Sequence, residues 1–114
     1  MKIKEVISLI SGVIITGAEN LDTEVARAFA SDLMSDVLTI KTDNLVLLTG
    51  LVNIQAIRTA EMSDISCVVF VRDKKVTPDM IRLASESRIT LIQSPCSMYR
   101  ASGILFQAGI QPVF

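Results

Sequence analysis

Apolar residues at Ile3, Val6, Ile7 and Ile10, with Lys4, Glu5 and Ser8 between them, recur every three to four positions. That spacing puts them on one face of a helix, and Gly12 stands where such a helix is expected to stop. The period then changes. Val13 to Thr16 is a short apolar run that predicts a strand, Gly17-Ala18-Glu19-Asn20 predicts a turn, and Val25 to Ala30 alternates as a second strand does. A doubled Ser-Asp step follows directly, Ser31-Asp32-Leu33-Met34-Ser35-Asp36-Val37-Leu38. Read locally it opens a helix, with Ser31 capping free backbone N–H groups and Asp32 at the positive end of the helix dipole. In a continuing helix Asp32 and Asp36 share one face, where like charges cost about a few tenths of a kcal/mol. Helix stability therefore does not account for the second copy.

Beyond the break at Asp43-Asn44 the pattern becomes regular. Leu45 to Leu48 runs through Thr49-Gly50 into a helical pattern carrying Ile54, Ile57 and Ala60. Cys67 to Val71 runs through Arg72-Asp73-Lys74-Lys75 into Thr77-Pro78, an N-cap followed by a proline suited to the first helical position, and then Met80, Ile81, Leu83 and Ala84. Ile89 to Ile92 runs through Gln93-Ser94-Pro95-Cys96 into Met98, Ala101, Ile104, Leu105 and Ala108, ended near Gly109. Successive strand-then-helix units with short, all-apolar strands predict a parallel sheet covered by helices. The expected fold is a single α/β domain over residues 1–114, its mostly parallel sheet flanked by helices. The first forty residues add a helix, one or two strands and the Ser-Asp helix.

Composition sharpens this picture at one point. Half of the 114 residues are hydrophobic and only 20% are charged, whereas a domain this small leaves roughly a third of its unfolded-chain surface exposed. Either a sheet buried on both faces absorbs the excess, or apolar side chains meet a partner, with a homodimer as the expectation. A net charge of −1, without a Lys/Arg cluster or interleaved aromatics, argues against nucleic acid. No apolar run approaches the roughly 18 residues that cross a bilayer. Lys2 and Lys4 ahead of Ile7-Ser8-Leu9-Ile10 mimic a signal peptide, but Glu5, Ser8, Ser11 and Gly12 interrupt it, so a cytoplasmic protein is expected. Cys67 and Cys96 form neither a disulfide framework nor a zinc set, and histidine is absent, which removes the usual base of a Ser or Cys nucleophile. No enzyme, cofactor or resident metal is expected.

The carboxyl ends of parallel strands gather on one edge, the usual place for a ligand. That edge should collect Thr49, Gly50, Arg72, Ser94 and Ser97, a set of hydroxyls, backbone donors and one guanidinium suited to a nucleotide or other phosphate-bearing ligand. Each also has a structural role open to it: Gly50 in the turn, Ser97 as a helix cap, Arg72 as a solvated charge. Asp32 and Asp36 offer oxygen ligands to a divalent cation, or serve as a helix cap and an exposed acid. Cys96 can be a thiol activated at a helix start or an ordinary loop cysteine. Met34, Met62, Met80 and Met98 fall at apolar helical positions and read as core or interface filler.

From end to end the order of pieces resembles the DRTGG domain. The resemblance is carried by Val13-Ile14-Ile15-Thr16-Gly17, Leu21-Asp22, Val25, the motif residues Ser31, Asp32, Ser35 and Asp36, Leu48-Thr49-Gly50, and Ser97-Met98-Tyr99-Arg100-Ala101-Ser102-Gly103-Ile104-Leu105. The five residues that name the family do not occur here as a string, and Thr23 follows Asp22 where an Arg is expected. DRTGG domains are similar to the N-terminal domain of HPr kinase/phosphorylase and occur beside phosphotransacetylase and between the CBS domains of regulated pyrophosphatases. The resemblance implies a regulatory, dimer-forming module standing alone, without catalysis, that acts on a metabolic partner enzyme or senses a small metabolite.

Overall fold

The computed structural model describes Met1–Phe114. Helix α1 (Ile3–Leu9) leads into β1 (Val13–Thr16) and one turn of 3-10 helix at Ala18–Asn20. Then come β2 (Arg27–Ala30), α2 (Met34–Val37), β3 (Leu45–Thr49), α3 (Ile54–Met62) and β4 (Cys67–Phe70). The chain closes with α4 (Pro78–Glu86), β5 (Thr90–Gln93), α5 (Met98–Gln107) and β6 (Gln111–Pro112).

The strands form one six-stranded sheet in the order β1-β5-β4-β3-β2-β6. From β2 to β5 the chain adds each new strand in parallel on the same side of the last. Right-handed crossovers then place α2, α3 and α4 all on one face of the sheet. The segment after β5 must travel back across the sheet to reach β6 beside β2, so its helix, α5, lies on the opposite face with α1. Two buried clusters correspond to these faces. One joins Leu45, Leu47, Val68, Phe70 and Leu91 to Met34, Val37, Ala56, Ile57, Met80 and Ala84. The other joins Val46, Leu48, Cys67, Val69 and Ile92 to Ile3, Val6, Ala101 and Leu105. Successive residues of β3 alternate between the clusters as the pleat demands. Every residue of β3 and β4 is buried, because both sides of the sheet are covered.

The edges are where the sequence was least explicit. β1 runs antiparallel to β5, pairing Val13 with Gln93 and Ile14 with Ile92. β6 is a two-residue strand that pairs Gln111 with Arg27 and Pro112 with Ala28; proline is tolerated there because an edge strand has no neighbour awaiting its N–H. Gly12 does not terminate α1. The left-handed residue is Ser11, at φ 54°, and Gly12 is needed for space instead, since a Cβ there would lie 2.8 Å from Ile92 Cγ2. Gly17 has φ 93° and backs onto Thr90, which a Cβ would clash with at 2.5 Å. Thr77 and Ser97 cap α4 and α5 as their sequences predict, and Asn53 does the same for α3. Lys4 lies 3.0 Å from Asp22, and its hydrogen bond and charge hold that carboxyl below its ordinary range.

Substitution of Leu47, fully buried between the sheet and the α3 face, by alanine should cost about 3 kcal/mol in urea denaturation. Leu33→Ala, at a side chain 57% exposed, should stay within about 0.5 kcal/mol.

Candidate functional site

The ends of β2, β3, β4 and β5 share one edge, and the doubled Ser-Asp step lies on it. Ser31 does not cap a helix. Its backbone N–H continues the β2–β3 ladder to Leu48 O at 3.0 Å, and its Oγ accepts from Leu33 N at 3.0 Å. Helix α2 begins only at Met34, with no side-chain cap at Leu33. Asp32 is therefore not at a helix dipole. It reaches across to β3, where its Oδ1 accepts from Gly50 N at 2.6 Å and from the Thr49 hydroxyl at 3.2 Å. On the far side of Gly50, Lys74 Nζ donates to the Gly50 carbonyl at 2.6 Å. A carboxylate from the end of β2 and an ammonium from the end of β4 thus bracket one residue at the end of β3. Charge-assisted bonds of this kind are roughly twice as strong as neutral ones.

This geometry corrects the local reading of the Ser-Asp step and joins two sets of residues that the sequence kept apart. Ser35 and Asp36, the second copy, lie exposed in the short α2, and no group of three or more His, Cys, Asp or Glu residues is assembled that could hold a metal. Gly50 does not serve a left-handed turn. Its φ is not positive, and an added Cβ would stand 3.4 Å from both Asp32 oxygens and from Lys74 Nζ.

The remaining candidates gather at the end of β5. Ser94 is fully buried; its hydroxyl donates to Ile10 O at 2.6 Å and accepts from Cys96 N. Ser97 Oγ accepts from Arg100 N at 3.1 Å. Arg72 and Asp73 take left-handed φ values of 62° and 57°, and their backbone N–H groups donate to Cys96 O at 2.8 Å and Ser94 O at 2.9 Å. The edge is thus divided. Thr49 and Gly50 meet Asp32 and Lys74, while Arg72, Ser94 and Ser97 meet around Cys96. Sequence reasoning missed Lys74, which carries no local signal beyond a charge on a loop. The unexplained second Ser-Asp step was the available hint that Asp32 has a partner elsewhere.

Two cavities flank this arrangement. An uncharged groove of about 330 Å³ lies between α5 and the β2–β6 edge, and a polar cleft of about 480 Å³ lies beside the β5–α5 loop. The two cysteines differ sharply. Cys67 is fully buried in β4, and desolvation pushes its thiol up to about 12, whereas Cys96 is partly exposed at the polar cleft.

No family model matches the sequence, and no curated protein does so at a significant level. Among solved structures, the fold is similar to that of the CBS and DRTGG domains of the regulatory region of Clostridium perfringens pyrophosphatase, complexed with its activator diadenosine tetraphosphate. The superposition has a TM-score of 0.77 at 13% sequence identity, and covers 96% of this chain and 47% of that one. The chain spans about half the length of that structure, and what the likeness shows is the fold: an α/β architecture shared with the regulatory region of a pyrophosphatase.

Asp32→Ala leaves the buried Gly50 N–H without its acceptor and should cost about 1–2 kcal/mol by chemical denaturation, whereas Asp36→Ala should change stability by less than about 0.5 kcal/mol. A thiol reagent at pH 8 should label Cys96 in the native protein and leave Cys67 unlabelled until denaturant is added, as peptide mass mapping would show.

Proposed function

We propose that the chain is a non-catalytic regulatory and interaction module of the DRTGG type, that it self-associates as a homodimer, and that it acts in the cytoplasm on a metabolic partner enzyme. The observation that carries this reading is the groove beside α5. Its floor is Ala28, Ala30 and Leu48, and its walls are Tyr99 and Phe106 from α5 and Pro112 from β6, without a single charged residue. Tyr99 is 91% exposed and Phe106 is 65% exposed. One surface thus carries both a small-residue hollow and projecting aromatic rings, the self-complementary pairing that a twofold interface uses. Burying one such large apolar side chain is worth about 1.5–3 kcal/mol, and a twofold interface counts each side chain twice. The absence of catalysis is supported by the strand-end site itself. Asp32 and the Thr49 hydroxyl do form a carboxylate–hydroxyl pair, but Thr49 is fully buried and its oxygen already accepts from Leu51 N.

A second reading, a sensor that binds a nucleotide or phosphate-containing metabolite at the strand-end edge, is favoured by the Arg72-Asp73 turn. Two successive non-glycine residues in the left-handed region are costly, and such strain clusters at ligand sites.

Light scattering across a range of concentrations tests the first reading. The expected mass is twice that of the chain, falling to the single-chain value in Tyr99→Glu/Phe106→Glu, whose circular dichroism should be unchanged. A single-chain mass for the wild type at high micromolar concentration would contradict it.

A further inference from the structure

Two ends of the same sheet edge differ in a way that decides where an anion can go. At the end of β3 the backbone donor of Gly50 is already filled by the chain's own carboxylate, Asp32, so an incoming anion would have to displace it and meet its charge. At the end of β5 no such occupant exists. The cleft there is the largest on the molecule, about 480 Å³, and is lined by Ser11, Pro95, Cys96, Ser97 and Arg100, with no carboxylate among them. Arg100 enters no ion pair, and its side chain makes no hydrogen bond within the chain. The Ser11 hydroxyl has no partner within the chain either. Ser11 is held in a left-handed conformation by the fold. Arg72, equally without an ion pair, has its backbone N–H fixed 2.8 Å from the carbonyl of Cys96, one of the lining residues.

From this juxtaposition we propose that the cleft formed by Ser11, Pro95, Cys96, Ser97 and Arg100 is a binding site for a phosphate-bearing ligand, with Arg100 as its principal anchor. A guanidinium presents two parallel N–H donors that match a phosphoryl group, and hydroxyls beside it supply the remaining donors without adding negative charge. Arg72, whose backbone N–H is bonded to the carbonyl of Cys96, is the next guanidinium along the sheet's own edge and the second residue to test. The proposal rests on the sensor reading for its place on the strand-end edge and is independent of self-association. It moves the point of contact away from Thr49 and Gly50.

Titration of isotopically labelled full-length protein with inorganic tripolyphosphate, followed by backbone amide shifts, tests it. Shifts should centre on Ser11, Cys96, Ser97 and Arg100 and leave Gly50 in place. Affinity should weaken about tenfold in Arg100→Gln, less in Arg72→Gln, and not at all in Asp32→Asn, and it should fall with added salt. Arg100 is exposed, so Arg100→Gln should fold, and an unchanged thermal midpoint confirms that. Shifts centred on Gly50 and sensitive to Asp32→Asn would overturn the cleft while preserving the sensor reading; no shifts anywhere would overturn both. Shifts at the cleft that Arg100→Gln leaves unaltered would overturn the role of Arg100, and with it the proposal.

Discussion

A parallel sheet buries both of its faces, and in a chain of this length that requirement dictates nearly everything else. The core strands β3 and β4 are buried along their whole length, and β5 along all but its last residue, so helices must cover both sides. Right-handed crossovers assign α2, α3 and α4 to one face, leaving α1 and α5 to cover the other. Two helices do not reach across a six-stranded sheet. The uncovered strip falls over β2, whose residues facing α5 are the small Ala28 and Ala30. The groove, with its exposed aromatic rim, is thus a consequence of how the helices are distributed between the faces. The hydrophobic excess of the composition is largely absorbed by the doubly covered sheet; of the large apolar side chains that stay exposed, Tyr99 and Phe106 stand at that groove, while others such as Val13, Leu33 and Met62 lie elsewhere on the surface.

The same topology explains the polar side of the molecule. Parallel strands end together, so the loops after β2, β3, β4 and β5 converge and can bond to one another. Asp32, Gly50 and Lys74 tie three of those loops, and Arg72, Asp73, Ser94 and Cys96 tie the last two. These ties leave few free donors along the edge. The exit turn of α1 is tied to the β5–α5 loop through Ile10 O, which accepts from Ser94 and Cys96, and between that turn and the loop lies the polar cleft, with no carboxylate in its lining.

Much of this was legible in the sequence because it depended on local signals. Thr77 before Pro78 and Ser97 before Met98 act as the caps their neighbours predict, and the runs Leu45–Leu48, Cys67–Val71 and Ile89–Ile92 fall on the central strands. What the sequence hid was non-local. Ser31-Asp32 has the chemistry of a helix start, yet Asp32 finds better donors in Gly50 and Thr49, 17 to 18 residues away. β6 has two residues, one a proline, and no pattern of that length can announce a strand. β1 gives no local hint of its antiparallel pairing with β5, which is set by the return of the chain from α1. Met62, read as apolar filler like Met34 and Met80, is 65% exposed because, as the last residue of α3, it points away from the face that carries Ala56, Ile57 and Ala60.

The proposed self-association places the second copy on the strip that this topology leaves uncovered. Amide hydrogen exchange compared between dilute and concentrated protein tests it most directly, since docking of a second copy slows exchange where backbone becomes covered. Slowing confined to α5 and to residues 110–112 is the predicted result. Exchange that is independent of concentration, or slowed only around α3 and α4, would contradict it.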